Sequence, residues 1–122
     1  MSVFNAPNLA DFLEKVRRMP ERVEFEDTIA VIEANYAFSP CAFDNGDVHN
    51  AAGQNNGSCR ILAFAQMQGM AEGEALACFG RYYREDVLKH PQNQDHANIR
   101  EFMRKGWAGL NWHGTPLVAR TS

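Results

Sequence analysis

The residues best suited to chemistry lie between Asp44 and Arg60, in DNGDVHNAAGQNNGSCR. The segment ends on a thiol, Cys59, at the mouth of an apolar helical run, ILAFAQM. A thiol at a helix start meets free backbone N–H groups and the positive end of the helix dipole, and both favour thiolate. The same N–H groups could form an oxyanion hole, with the Gln54 amide as a further donor. Such a nucleophile needs a base, and His96 in DHANIR supplies an imidazole at the start of a later helix. Gln54 or Asn98 would orient the pair. Cys59, His96, Gln54 and Asn98 are therefore the candidate catalytic residues. A plainer reading uses the same residues structurally: Ser58 or Asn56 caps one helix and Cys59 fills a small buried space. Asp95 caps the next helix, and Arg100 makes a salt bridge.

Other polar residues of these segments suit a binding surface: Asn45, His49, Asn50, Asn55 and Arg100. Asp44, Asp47 and His49 look like part of a calcium loop, but the alternating oxygen ligands and closing Glu are missing, so turn chemistry is expected. No CxxC or HxxxH spacing occurs, and no metal or cofactor is expected. In Arg81-Tyr82-Tyr83-Arg84, cations and aromatics alternate as they do in some RNA-binding surfaces. On a helix these four cannot share a face, and Tyr83 belongs to an apolar stripe, so packing is expected.

Elements that would hold these residues can be read from period and caps. Leu9, Phe12, Leu13 and Val16 fall at helical spacing behind an Asn8 cap, and Pro20 stops the pattern. Phe25, Ile29, Ile32 and Tyr36 predict a second helix over about 26–36. Residues 37–43 read as extended chain, and Asn45-Gly46 signals a turn. A third helix, with Ile61, Leu62, Phe64, Ala65 and Met67 on a wide apolar face, would be central and end at Gly69. A fourth is expected over about 72–88, with Gly80 inside it where another helix comes close. A fifth runs from the Asp95 cap to Gly106. The tail LNWHGTPLV forms a hairpin or pairs with 37–43. The long 38–57 connection suggests function or Ω-type packing.

The chain of 122 residues is expected to form one domain over 1–122, large enough for its own core. Its net charge of −3 leaves no electrostatic footprint for nucleic acid or anionic membrane. Residues 1–35 carry seven acids and four bases, whereas 81–105 carry six bases and four acids, which is the pattern of solvated helix faces. Three cysteines without paired spacing fit a reducing compartment. The N-terminus lacks the basic-then-apolar pattern of a secretory signal, and no apolar stretch is long enough to span a bilayer.

YAFSPCAFDNG, NAAGQNNGSCRILAFA, CFGRYYREDVLKHP and DHANIREFMRKGW follow one another in register from about Phe25 to the C-terminus. Together they resemble the HopJ type III effector protein family. Cys41 departs from the pattern, which suggests a small hydroxyl residue there. A Gln shortly before a helix-opening Gly-Ser-Cys also resembles, in part, papain-like thiol hydrolases, although those domains are longer and place their His on a sheet. The HopJ resemblance implies a bacterial lineage, some of whose members are delivered into plant hosts, and no defined mechanism.

The expectation is a mainly α domain, α+β with minor β: about five helices around ILAFAQM, with a hairpin or irregular layer from 37–57 and 107–118. The leading function is that of a small soluble, cytoplasmic protein that binds a protein or small-molecule partner through its polar loop. Type III secretion into a host is the alternative location. The rival function is a cysteine-dependent hydrolase or amidase using Cys59. Oligomeric state is not encoded in any pattern here.

Overall fold

A computed structural model describes residues 8–120. The N-terminal residues to which the export and signal-peptide expectations refer lie outside that range, apart from the start of the first helix. Helix α1 spans Leu9–Arg18, and the Asn8 side chain accepts from the Asp11 amide at 3.0 Å, the expected cap. Helix α2 spans Phe25–Asn35, where Asp27 reaches back to the Glu24 amide. It buries Thr28, Val31 and Ile32, while Tyr36 already opens a strand.

Helix α3, Asn56–Met67, is the centre of the fold as expected. Ile61, Leu62, Phe64 and Ala65 are fully enclosed, and Phe12 and Tyr36 pack on the Phe64 ring at 5.9 and 5.8 Å. Met67 departs from the expected apolar face and stands half exposed beyond the last core turn. Gly69, at φ 70°, turns the chain after the helix.

The expected fourth helix is broken. Helix α4 covers only Glu72–Ala77, and a π-helical stretch follows at Tyr82–Val87. Gly80 sits between them at φ 63°, and a Cβ there would lie 2.5 Å from the Phe25 amide nitrogen. Glycine thus serves the close approach that the sequence suggested, but it does so by interrupting the helix. Helix α5 spans Ala97–Lys105 and ends at Gly106, φ 63°.

Two small antiparallel sheets complete the domain. Strand β1, Tyr36–Phe38, pairs with β5, Leu117–Ala119, so the tail returns to the 37–43 region. Strand β2, Phe43–Asn45, lies between β3, Val48–Asn50, and β4, Leu110–Trp112. Gly46 and Asp47 turn the β2–β3 hairpin, with Gly46 at φ 58°, where the Asn-Gly signal placed it. The outcome is a helical α+β domain with a minor sheet layer.

Candidate functional site

The polar segment forms a frame for two helix starts. Phe43 and Asn45 of β2 and Asn50 of β3 point inward, and all three are buried. The Asn45 Nδ2 donates to the Asn98 carbonyl at 2.9 Å and to Asn98 Oδ1 at 3.0 Å. The Asn50 Nδ2 donates to Asn98 Oδ1 at 3.2 Å, while Asn98 Nδ2 donates back to Asn50 Oδ1 at 2.9 Å. Asn50 Oδ1 also accepts from Asn55 Nδ2 at 2.7 Å. One buried amide, Asn50, thus ties the first turn of α5 to the residue that precedes α3. Buried polar groups of this kind specify one arrangement when satisfied. Among the described residues Asn45 Oδ1 of this frame finds no partner.

Both helices start in an unusual way. Asn55 precedes α3 at φ 53°, ψ 48°, and His96 precedes α5 at φ 53°, ψ 50°. They are the two non-glycine residues with positive φ among those described. Caps normally lie in the extended region. This corrects the expected caps: neither Ser58, Asn56 nor Asp95 takes the role. Asn tolerates the left-handed region, and its bond to Asn50 holds it there. Neither Asn55 nor His96 caps with its side chain, so the first-turn N–H groups are not taken up in that way.

These two starts face a shared cleft of about 330 Å³. Asn55, Gly57 and Ser58 line one side, and His96, Ala97 and Asn98 another. Phe25, Phe79 and Tyr82 form an aromatic wall, in which Phe25 meets Tyr82 edge-on at 5.0 Å. The His96 ring lies 5.3 Å from the Tyr82 ring, and its Nε2 is 3.0 Å from Asp86 Oδ2. A Cβ on Gly57 would sit 3.3 Å from the Phe25 ring, so the small residue keeps this wall close.

Of the candidate catalytic residues, His96 and Asn98 reach the cleft and Cys59 does not. Cys59 is buried at 1% exposure, and burial pushes its thiol up to about 11, with the neighbouring Cys41 adding to the effect. The helix dipole alone would shift it the other way. Desolvation of a thiolate outweighs the dipole when the sulfur faces the core rather than the free N–H groups. Gln54 does not face a reacting centre either: its Oε1 accepts from the Ala51 amide at 2.9 Å and closes the loop.

The remaining candidates divide. Asn45, Asn50 and Asn55 form the frame just described. Arg100 bonds Asp95 Oδ1 at 2.7 Å, the Asp95 carbonyl at 2.6 Å and the His90 carbonyl at 3.0 Å, pinning the preceding loop to α5. His49 lies on the outer face of the sheet, 2.7 Å from Asp44. Among the described residues, no group of three or more His, Cys, Asp or Glu side chains is arranged to hold a metal ion. The aromatic wall residues missed in the sequence are Phe25, Phe79 and Tyr82. Phe25 read as part of a core stripe, and Tyr82 lay in a helix pattern that Gly80 breaks.

Fold and site together define a small helical α+β domain whose cleft joins two helix starts to an aromatic wall. The chain belongs to the HopJ type III effector protein family, which it matches over residues 9–117. It is similar to the crystal structure of a protein of unknown function, VPA0580, at 48% identity and a TM-score of 0.94, covering 98% of this chain and 100% of that one. No curated protein matches it. No helix among the described residues is long and apolar enough to cross a membrane.

Proposed function

We infer that this HopJ-family protein works by binding a partner, a protein segment or small molecule, in the cleft between α3 and α5. The observation that supports this most is the convergence of two uncapped helix starts on one aromatic-walled cleft. Free N–H groups of helix first turns favour a hydrogen-bond acceptor, such as a carboxylate or phosphate group. Phe25 and Tyr82 offer apolar surface for the rest of the partner. The buried thiol argues against the hydrolase reading, because an attacking sulfur must reach substrate and ionise near working pH.

The test is an amide-detected NMR titration with inorganic phosphate, acetate and phenyl phosphate. Shifts should cluster at Gly57, Ser58, Ala97 and Asn98, with phenyl phosphate the tightest of the three. Ala97→Glu places a carboxylate on the first turn of α5, which suits the helix but occupies the cleft. It should keep the fold and abolish the shifts. Absence of clustered shifts at tens of millimolar ligand, or shifts unchanged in Ala97→Glu, overturns the proposal. The cytoplasm is the proposed place of action, since free buried cysteines keep their form there. A reporter fusion that is exported through a type III apparatus would place the action in a host instead.

A further inference from the structure

Strand β2 carries a second cluster on its solvent side. Alternation along a strand sends Asp44 outward and Asn45 inward, and likewise His49 outward and Asn50 inward. Asp44 is directly opposite His49 on β3 and opposite Asn111 on β4. Its two carboxylate oxygens meet two different imidazoles: Oδ1 lies 2.7 Å from His49 Nδ1, and Oδ2 lies 2.9 Å from His113 Nε2. His113 is anchored in turn, its amide donating to the Ala42 carbonyl at 3.0 Å. One carboxylate of the central strand therefore links both neighbours. The strands it joins are only three residues long, so few ladder hydrogen bonds hold them.

We propose that Asp44, His49 and His113 form a proton-operated clamp across this sheet, and that the clamp sets the rigidity of the asparagine frame on the sheet's other face. The links run through adjacent residues. Asp44 neighbours Asn45, and His49 neighbours Asn50, the two strand residues that hold Asn98 and Asn55. With protonated rings the two contacts are ion pairs as well as hydrogen bonds, whereas with neutral rings only the Asp44 carboxylate carries charge. With neutral rings each imidazole can still donate one N–H, so the contacts persist without that charge. The other charges near the cluster are Asp47, Glu101, Arg104 and Lys105. Asp47 in the hairpin turn adds a negative field at His49. Glu101 of α5 accepts from the Asp47 amide at 2.7 Å and pairs with Arg104 at 2.8 Å. Lys105 packs beside Gly46.

The two imidazoles hold the Asp44 carboxyl down at about 2, and Asp44 in turn raises the His49 ring above its ordinary 6.5. A lowered acid contributes stability above its ordinary 3.8 and loses it as pH falls through about 2. A raised histidine contributes stability below 6.5 and loses it as pH rises through its folded value. The Asp44–His49 arm of the clamp is thus fully closed between 3.8 and 6.5 and loosens on the alkaline side.

The test is a ring-proton NMR titration of the histidines in the full chain, with the asparagine side-chain amides followed in the same samples and no cleft ligand present. His49 should titrate above the ordinary histidine value, and Asp44→Asn should lower its midpoint. The Asn50 and Asn98 amide signals should shift in step with His49 in the native chain and stay flat through that pH range in Asp44→Asn. Should Asp44→Asn fail to fold, His113→Gln gives the second reading: the raised His49 midpoint remains while the amide response shrinks. An unchanged His49 midpoint in Asp44→Asn overturns the clamp. So do asparagine amides that ignore the His49 titration in the native chain, or that respond undiminished in His113→Gln. Because no ligand is present, that outcome leaves the binding proposal standing.

Discussion

Truncating Asn50 is the sharpest perturbation of the frame. Its side chain takes part in contacts of 2.7 Å with Asn55 Nδ2, 2.9 Å with Asn98 Nδ2, 3.2 Å with Asn98 Oδ1 and 3.3 Å with the Phe43 carbonyl. Asn50→Ala removes all of these. A typical internal hydrogen bond contributes about 1 kcal/mol net, and a buried group left unpaired costs about 1–3 kcal/mol. Among the described residues Asn98 Nδ2 has no other partner, whereas Asn55 is exposed and can turn to water. The expected loss is about 3–5 kcal/mol, which is large against a total stability of roughly 5–15 kcal/mol. For a chain of this size that lowers the thermal midpoint by roughly 10–20 °C. Asn98→Ala provides the internal control. It removes three side-chain contacts, yet Asn45 Nδ2 keeps the Asn98 carbonyl and Asn50 keeps Phe43 and Asn55. Its cost should be smaller, about 2–3 kcal/mol by the same count. Urea unfolding with an unchanged m-value measures both. A loss below about 1 kcal/mol for Asn50→Ala, or the reverse order of the two variants, would mean that Asn50 is not the keystone of the buried amides.

Three further outcomes follow from particular residues. Gly80→Ala should destabilise by more than about 2 kcal/mol, because a left-handed conformation is joined to a clash with the Phe25 backbone at 2.5 Å. Gly69→Ala has positive φ but nothing within 4 Å, so about 1 kcal/mol is expected; equal losses in urea unfolding would show that the close approach at Gly80 does not matter. Cys59, with its thiol pushed up to about 11, should resist iodoacetamide at pH 8 until the protein unfolds, and peptide mapping that finds it alkylated in the native state would restore the thiol-enzyme reading. Asn8→Ala should cost about 1 kcal/mol through loss of the α1 cap, a change that denaturant midpoints resolve; no shift would mean the bond to Asp11 is not formed in solution.

Helices α1, α3 and α5 and the Asn45-Gly46 turn are legible in the sequence because periodicity and turn residues are local properties, although of the caps expected for these helices only Asn8 holds. Family membership is legible for a related reason, since four motifs in register leave a pattern that survives without coordinates. Three things were decided only by the tertiary structure. Gly80 takes a left-handed turn between α4 and the π-helical stretch, and the Phe25 backbone, distant in sequence, comes so close that no side chain fits there. Asn55 and His96 take the cap positions because contacts outside each helix hold their turns: Asn50, itself bonded to the distant Asn98, fixes one, and Asp86 with Tyr82 fixes the other. The reactivity of Cys59 depends on which way its sulfur faces. The sequence alone placed that thiol at a positive helix end, and this remains true. Whether the sulfur meets the cleft or the core is set by the rotation of α3 against its neighbours, and burial against Cys41 reverses the sign of the pKa shift. Local periodicity marks a helix, while packing fixes which residue opens it and which of its first residues face the cleft.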